Sequence, residues 1–379
     1  MINLQLGRAV PASHNCELAP AIARKMRVRP KPPVQSCAKV TVVIPCYNYQ
    51  EYLIEAINSS LSQVGVDVDV VIVDDASTDN SFRVMSEAAA QDGRITVVRH
   101  TKNAGPVQTF NDGLALARGE FLVRLDADDL LTPGALRRAV DVMRQFPSVG
   151  LVYGHPIHFR GQERPVARTT SRFWTVWPGR EWLADRCATG FNVITSPEAV
   201  MRRSVVDRLG GQEDLAHTHD MEMWLRLSGY CDVAYIGGVD QAWHREHSRS
   251  LSATKVDELT DFNERRAAFE VLFKGPTGLL HEAPALRKSA TIALARYCVE
   301  ASSRLFDHRT VDTTRLKLMM DAARELVDDV ETIPGWKGLR ARIAVGPGMA
   351  AFHPRFLAER IGRGLLFRWR RLRWHRCGY

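Results

Sequence analysis

Three carboxylates stand within four positions of the chain, at Asp126, Asp128 and Asp129, directly after the apolar run EFLVRL (120–125). Two like charges about 4 Å apart repel each other by roughly 1 kcal/mol in water and by roughly 4 kcal/mol at a half-buried site. Such a cluster is tolerated as a solvated turn that caps the next helix, or where a cation lies among the carboxylates. Magnesium is usually held by one or two carboxylates together with substrate phosphates, so the D-x-D sequence suits a metal-bound diphosphate.

The elements that must position this cluster alternate between strand and helix. Segments with apolar residues at helical spacing separate four runs rich in β-branched residues, VTVVIP (40–45), VDVVIVDD (68–75), ITVVRH (95–100) and EFLVRL (120–125). This order predicts βαβ crossovers, and hence an α/β fold with a mostly parallel sheet flanked by helices. Polar residues follow all four strand ends, namely Tyr47 and Asn48, Asp74 and Asp75, His100 to Asn103, and Asp126 to Asp129. Because ligands of such sheets bind outside the carboxyl ends of the strands, we expect one site at this edge.

The composition is that of an ordinary soluble protein, with 45% hydrophobic and 25% charged residues in a chain of 379. No run of 18 apolar residues predicts a membrane-spanning helix, and the first 20 residues do not resemble a secretion signal. The seven cysteines include no C-x-x-C pair, which argues against a disulfide framework and against a zinc site. The sequence therefore predicts a protein of the reducing cytoplasm.

The net charge of +8 is unevenly distributed, with +6 in residues 1–39 and +10 in residues 337–379, which leaves −8 for residues 40–336. The N-terminal segment predicts a flexible basic arm over residues 1–38. The basic aromatic tail, residues 336–379, contains GRGLLFRWRRLRWHR (362–376), which suits an anionic membrane surface and predicts peripheral association with the inner face of a membrane. Nucleic acid is a less favoured partner for this tail, and a helix packed on the protein is a third interpretation.

Five ordered motifs, IPCYN (44–48), IVDDASTD (72–79), NAGP (103–106), GEFLVRLDADD (119–129) and HDMEMWLRLS (219–228), resemble those of the family 2 glycosyltransferases of the GT-A fold. The segments MRRSVVDRLGGQEDL (201–215) and REHSRSLS (245–252) resemble the approach to that family's catalytic acid and its closing His-x-x-Ser. The resemblance spans about residues 40–250. It implies a GT-A-like domain over 39–252, with a nucleotide-binding half (39–150) and an acceptor and catalytic-base half (151–252), followed by a helical extension over 253–335.

The resemblance also implies a nucleotide pocket and a metal site. The nucleotide-binding residues would be Pro45, Tyr47, Asn48, Asp74, Asp75, Lys102, Asn103 and Asp126. Stacking of Tyr47 on a pyrimidine base would contribute on the order of 1 kcal/mol, and Asp75 or its neighbour Asp74 would accept a hydrogen bond from the base. The ligands of Mn²⁺ or Mg²⁺ would be Asp126, Asp128 and His247, with Asp129 in support. Arg245 or Arg249 would pair with phosphates.

The catalytic base implied by the resemblance is Asp220, which stands where the family carries the second residue of a Glu-Asp pair before a Trp-containing helix. Here the residue before it is His219, and a cationic imidazole would lower the pKa of Asp220. Glu222 is the rival for this role. We interpret Glu222 as a surface position of the helix and expect Asp220 to be the base.

The function that follows from the resemblance is a metal-dependent inverting transfer of one sugar from a nucleoside-diphosphate sugar, most simply a UDP-sugar, to a glycan or lipid-linked acceptor. Single transfer is favoured because the Q-x-x-R-W motif and membrane helices of processive members are not evident. A catalytically inactive protein that binds a nucleotide-sugar or glycan is the main alternative. A haloacid-dehalogenase-like phosphatase fits less well, since its Asp-x-Asp ends the first strand, whereas here the motif follows the fourth.

Overall fold

The computed structural model describes residues 19–32, 37–247, 257–308 and 310–378, and shows an α/β fold with a helical C-terminal region, as predicted. The strands are β1 (Met26–Val28), β2 (Lys39–Cys46), β3 (Asp67–Asp74), β4 (Ile95–Arg99), β5 (Phe121–Arg124), β6 (Leu130–Leu131), β7 (Val149–Phe159), β8 (Phe173–Trp177), β9 (Val200–Arg202) and β10 (Asp232–Arg245). The helices are α1 (Leu53–Leu61), α2 (Ser81–Gln91), α3 (Pro106–Leu116), α4 (Ala135–Gln145), α5 (Gly179–Thr189), α6 (Arg203–Leu209), α7 (His219–Ser228), α8 (Glu258–Lys274), α9 (Ala283–Leu305), α10 (Thr313–Leu326), α11 (Trp336–Val345), α12 (Pro347–Ala350) and α13 (Pro354–Cys377).

The described strands form one sheet in the order β1-β8-β10-β7-β9-β5-β2-β3-β4, with β6 paired to β10 off this path. Strand β2 pairs in parallel with β3 and with β5, and β3 pairs in parallel with β4. The long strands β7 and β10 are also parallel, whereas β1, β6, β8 and β9 join the sheet antiparallel. The carboxyl ends of β2, β3, β4 and β5 therefore meet at one edge, as the sequence predicts.

Apolar side chains cover both faces of this sheet. Along β2, Val42 and Ile44 point into the layer formed with α1, α2 and α4, while Val43 points into the layer on the other face. This alternation follows from the two-residue period of a strand, and burial on both faces explains the unbroken apolar run. The second layer continues through α5 and α7 into the C-terminal helices, where Trp182, Trp224 and Leu294 share one core. The helical region thus packs on α5 and α7, within residues 151–252.

Part of the predicted flexible arm over residues 1–38 is ordered, because residues 26–28 form β1, while residues 1–18 and 33–36 of that prediction lie outside the described residues. Strand β1 pairs antiparallel with β8, and the Arg27 guanidinium lies 3.6 Å from the centre of the Phe173 ring. The Ile22 backbone N–H donates to the Asp232 carboxylate at 2.8 Å. The sequence did not predict this strand for two reasons. The segment is rich in proline, and its pairing partner lies about 150 residues later in the chain.

The basic tail over residues 336–379 forms α11, α12 and α13 across its described part. Within the described ranges, none of the helices is both long and apolar enough to span a bilayer.

Candidate active site

The three carboxylates of the acidic cluster have different partners. Asp126 is partly exposed and accepts hydrogen bonds from the Arg124 guanidinium at 3.0 Å. Asp128 is buried, and its Oδ2 lies 2.8 Å from the Nε2 of His247. Asp129 has no exposed surface and accepts from the Arg245 backbone N–H at 2.8 Å. Each carboxylate therefore has its own basic or N–H partner. These partners offset the repulsion between the three like charges.

Asp129 binds the acidic loop to the end of β10. Its second oxygen lies 3.0 Å from the Nδ1 of His244. Although burial opposes protonation, the Asp129 carboxylate raises the pKa of His244 above its ordinary value, which favours the charged imidazole. Asp129 is thus a positioning group that contacts β10, and its supporting role at a metal site stays a prediction.

Arg245 differs from the prediction that it pairs with phosphates. Its guanidinium donates to the carbonyl oxygens of Asp128 and Gly161 at 3.0 and 2.8 Å and to the Glu55 carboxylate at 2.9 Å. The residue is 2% exposed, and all three donor nitrogens are used to connect the acidic loop, the loop after β7 and α1. Hydrogen bonds to protein carbonyls and the ion pair with Glu55, rather than contact with a phosphate, explain its burial. The other arginine predicted for this role, Arg249, lies outside the described residues.

The predicted metal ligands fit a divalent cation in part. Asp128 and His247 supply an oxygen and an imidazole nitrogen that already face each other, and the rings of Tyr49 and Tyr52 lie 5.9 and 5.2 Å from the His247 ring. Asp126 is instead paired with Arg124. No cluster of three or more His, Cys, Asp or Glu side chains suited to a metal occurs in the part of the chain that the structure describes. The Asp128 carboxylate suits Mn²⁺ or Mg²⁺ when substrate phosphate oxygens and waters complete the coordination shell, whereas the His247 imidazole is a softer ligand than Mg²⁺ prefers.

The first two strand ends are joined by Asn48, whose backbone has a φ of +60°. Its side-chain oxygen accepts from the backbone N–H groups of Thr78 and Asp79 at 2.8 and 3.3 Å, while its own N–H donates to the Ser77 hydroxyl at 3.0 Å. Asparagine tolerates the left-handed region better than most residues, which accounts for its place in this tight turn. Asn48 therefore shapes the rim between β2 and β3.

Asp75 organises the neighbouring loop after β4. Its two oxygens accept from the backbone N–H groups of Ala104 and Gly105 at 2.7 and 2.9 Å, and the first also lies 2.8 Å from the Nδ1 of His100. Gly105 has a φ of +86°, a conformation that glycine adopts without strain. The Asn103 side-chain amide donates to the Asp75 carbonyl oxygen at 3.3 Å. Both carboxylate oxygens of Asp75 are thus occupied by protein donors.

The remaining predicted nucleotide residues fall into two groups. Tyr47 is 43% exposed and Lys102 is also exposed, so both side chains are accessible at the rim. Pro45 is buried within β2, beside Val73 of β3. Asp74 has no exposed surface and forms an ion pair with Arg99 at 3.1 Å. Pro45 and Asp74 are therefore buried structural residues, whereas Tyr47 and Lys102 face solvent.

Asp220 lies in the first turn of α7, where an oxygen accepts from the Met221 backbone N–H at 2.6 Å. Its other oxygen lies 3.4 Å from the Asn192 amide and 3.3 Å from the Ser196 hydroxyl. Removal of water by the surrounding protein raises the pKa of Asp220 to about 6, and the positive charge of Arg124 opposes this shift. A carboxylate with a pKa close to neutral suits a general base better than an ordinary aspartate does.

His219 does not act on Asp220 as a cation. Burial, followed by the charge of Arg124, lowers the pKa of His219 to about 4, so the ring is neutral at physiological pH. Its Nδ1 lies 3.2 Å from the Leu215 carbonyl oxygen, to which a neutral ring donates. The expected lowering of the Asp220 pKa by a cationic imidazole is therefore not found.

The interpretation of Glu222 as a surface position is wrong, since the residue is 1% exposed. Both of its oxygens accept from the Arg226 guanidinium at 2.9 Å. Arg226 also donates to the carbonyl oxygens of Leu209 and Gly210 at 2.6 and 3.0 Å, which fixes the chain that leads into α7. Glu222 is a positioning residue, and its occupied oxygens leave Asp220 as the base candidate.

Two residues that sequence reasoning missed connect the site. Arg124, at the end of β5, contacts Asp126 and donates to the Gln212 side-chain oxygen at 2.7 Å, and its charge reaches Asp220. Ser196 has a φ of +117°, an unusual conformation for a residue with a β-carbon, and it places its hydroxyl at Asp220. An arginine within an apolar run was an available signal for Arg124, whereas no sequence pattern marked Ser196.

The arrangement of strands and helices is that of the GT-A fold. The structure is similar to that of TarS residues 1–349 from S. aureus, solved with UDP-GlcNAc, with a TM-score of 0.58 and 17% identity over 86% of this chain and 92% of that one. Residues 41–210 match the family model of glycosyl transferase family 2. This region of the chain is therefore similar to glycosyl transferase family 2, in agreement with the resemblance of its motifs.

Two curated relatives cover parts of the same region. An uncharacterized glycosyltransferase of Nostoc sp. is 42% identical over 115 residues, which are 30% of this chain and 36% of that protein. A chondroitin synthase of Escherichia coli is 26% identical over 219 residues, which are 58% of this chain and 30% of that protein. The chain thus spans about a third of the length of these relatives.

Proposed function

We propose that this protein is a metal-dependent inverting glycosyltransferase that moves one sugar from a nucleoside-diphosphate sugar to a hydroxyl group of a glycan or lipid-linked acceptor. The observation that carries the proposal is the combination of Asp220, whose pKa is raised to about 6, with the facing Asp128 and His247 side chains. Arg124 contacts the acidic loop at Asp126, and its positive charge acts on Asp220. A base beside a candidate metal and diphosphate site is the arrangement that sugar transfer requires.

Asp220 is the proposed general base. Its carboxylate accepts the proton of the acceptor hydroxyl as that oxygen forms a bond to the anomeric carbon, while the bond from that carbon to the diphosphate oxygen breaks with its electron pair on the diphosphate. Attack from the face opposite the leaving group inverts the anomeric centre. Asn192 and Ser196 contact one Asp220 oxygen and hold the carboxylate in place. The Met221 N–H at the start of α7 stabilises the ionised form.

Asp128 and His247 are the proposed holders of Mn²⁺ or Mg²⁺. When bound, the cation would neutralise negative charge on the departing diphosphate, a contribution worth several kcal/mol. Asp129 and Arg245 hold the backbone around Asp128, so the carboxylate is fixed before any ligand arrives. Tyr47, Lys102 and Asn103 are the proposed contacts to the nucleotide, and Asn48 and Asp75 position the loops that carry them.

A UDP-sugar is the proposed donor, supported by the similar fold of TarS, which was solved with UDP-GlcNAc. The relatives that are named after polysaccharide synthesis, such as chondroitin synthase, support a glycan or lipid-linked acceptor. A lipid-linked acceptor would bring the protein from the cytoplasm to a membrane surface, which the basic α13 suits by its charge.

The test is calorimetric titration of UDP, GDP and dTDP with and without Mn²⁺. We expect manganese-dependent binding of UDP to the wild type and its loss in Asp128→Ala. The matched control is Asp321→Ala, which changes an aspartate that is 46% exposed and paired with Arg324 on α10. Absence of nucleotide binding under both conditions would refute the proposal. Binding of a UDP-sugar without turnover in the presence of candidate acceptors would favour the inactive binding protein instead.

A further inference from the structure

Helix α13 contacts the rest of the protein at its two ends. Near its start, Phe356 is 4% exposed and Arg363 pairs with the Asp307 carboxylate. At its end, the Trp374 indole N–H donates to the Val193 carbonyl oxygen at 3.0 Å, and the Tyr153 hydroxyl donates to the Gly378 carbonyl oxygen at 2.6 Å. Between these anchors, every residue from 364 to 373 is exposed. The middle of the helix is therefore exposed, and contacts at the two ends of the helix hold it on the protein surface.

The exposed middle carries an apolar stripe that points away from the protein. The stripe consists of Ile361, Leu365, Trp369 and Leu372, with exposed fractions of 57%, 60%, 54% and 56%. Steps of four, four and three residues place these side chains on one face of a helix. Phe356 and Trp374, which contact the protein, are five helical turns apart and lie on the opposite face. Four large apolar side chains exposed in one row mark a binding surface.

The charge around the stripe selects its partner. Helix α13 contains eight arginines and a single acidic residue, Glu359, which pairs with Arg342 and Arg355. A second copy of this helix would bring arginines against arginines, which costs free energy. Nucleic acid would neutralise the arginines and leave the apolar stripe in water. An anionic lipid surface accommodates both, because acyl chains cover the stripe while headgroups pair with the guanidinium groups.

We infer that α13 is a membrane-docking helix that lies in the surface of an anionic bilayer. Ile361, Leu365, Trp369 and Leu372 enter the boundary between headgroups and acyl chains, and Arg368 and Arg373 flank them at headgroup level. The arginines keep the helix in the interface, since burying them in the hydrocarbon core would be costly. The docking surface lies outside the donor site.

The contact at the end of α13 connects this helix to the segment that carries Asn192, a neighbour of the proposed base. Trp374 holds the carbonyl of Val193, and the preceding residue, Asn192, contacts Asp220. A docked α13 would therefore hold the segment that contacts Asp220 close to the membrane surface. This placement favours a hydroxyl group on a lipid-linked molecule as the acceptor, a conclusion that rests on the proposed function.

The test is sedimentation of the full chain with vesicles of phosphatidylcholine, with and without phosphatidylglycerol. We expect binding to the mixed vesicles that weakens as salt is added. The double variant Leu365→Glu/Trp369→Glu should lower the partition coefficient by about tenfold or more, since it removes two apolar side chains and adds repulsion. Leu279→Glu is the matched control, because Leu279 is 88% exposed on a different element, and its binding should equal that of the wild type.

A second variant, Arg368→Gln/Arg371→Gln, tests the charge component without altering the stripe, with Arg118→Gln as its control. Circular dichroism of each variant checks that the helices are retained. Failure of the wild type to bind mixed vesicles, or equal binding by the stripe variant and the wild type, would overturn the inference. Preferential binding of duplex DNA, or self-association that the stripe variant abolishes, would overturn it in favour of those partners. Vesicle binding that persists while UDP fails to bind would refute the transferase proposal and leave the docking surface in place.

Discussion

The Asp128 carboxylate and the His247 imidazole lie 2.8 Å apart, although 119 positions separate them in the chain. Strand β10 makes this contact possible, because Asp129 accepts from the Arg245 backbone N–H two residues before His247. The loop that follows β5 is therefore completed by a segment from the far end of the domain. A truncated chain without β10 would retain the D-x-D sequence and lose the facing imidazole.

Replacing the proposed base separates chemistry from donor binding. Asp220→Asn retains a side-chain oxygen for the Met221 N–H and removes the proton acceptor, so we expect kcat to fall by about 100-fold or more. The dissociation constant of UDP should stay within about twofold of the wild-type value. Steady-state kinetics with a donor sugar, together with calorimetry, would measure both quantities. Comparable turnover by the variant would show that another group is the base.

The rate should depend on pH in the direction set by Asp220. Because the pKa of this carboxyl is raised to about 6, the ionised base is depleted as the pH falls through 6, and kcat should decline there. Titration of His219 should not affect kcat between pH 5 and 8, since the pKa of this residue is lowered to about 4. A pH profile of His219→Asn with the same midpoint as the wild type would support this assignment. A midpoint moved by more than one pH unit would contradict it.

Asp220 should also lower the stability of the fold at neutral pH. Its folded pKa of about 6 lies above the ordinary value of 3.8, so the favourable contribution of the protonated form is present below pH 4 and is lost as the pH rises through 6. At pH 8, Asp220→Asn should raise the free energy of unfolding by about 1–3 kcal/mol. The difference should vanish at pH 4. Denaturant titrations at both pH values would measure it, and an unchanged difference would exclude titration as the cause.

The buried pair of Glu222 and Arg226 should contribute to stability rather than to proton transfer. Glu222→Gln leaves the Arg226 guanidinium without its counter-charge at a site that is 1–2% exposed, and should lower the free energy of unfolding by about 3 kcal/mol. Glu87→Gln breaks the exposed pair with Arg83 and should change it by less than about 0.5 kcal/mol. Equal effects in thermal or denaturant unfolding would refute the structural role of Glu222.

Asp75→Asn tests whether this residue positions a loop or contacts the base. The amide would turn an N–H group toward one of the Ala104 and Gly105 donors, so the loop should shift and weaken UDP and CDP alike by about tenfold. A direct hydrogen bond to the uracil ring N–H predicts a different result, in which UDP binding falls and CDP binding does not. Calorimetry with both nucleotides distinguishes the two roles.

Much of the fold of residues 39–150 was predictable from sequence. Runs of β-branched residues indicate buried parallel strands, and the polar residues that follow each run mark the carboxyl ends of those strands. The helical region followed from apolar spacing, whereas the role of Asp220 stays a prediction from the resemblance. The partners of Arg245 and Glu222 were not predictable, since both depend on carbonyl groups and side chains brought together only by the fold. Local composition marks such residues as polar and cannot show that they are buried.

Strand β1 gives the N-terminal segment a protective role. It covers the outer edge of β8, whose sequence FWTVW is rich in aromatic and β-branched residues. Strand β1 is itself only three residues long and carries Arg27 at its centre, two features that discourage further strand addition. A chain shortened to begin at residue 39 would present β8 as an uncovered, strongly β-forming edge. We therefore expect β1 to discourage strand pairing between the sheets of neighbouring molecules, although the sequence around it looks dispensable.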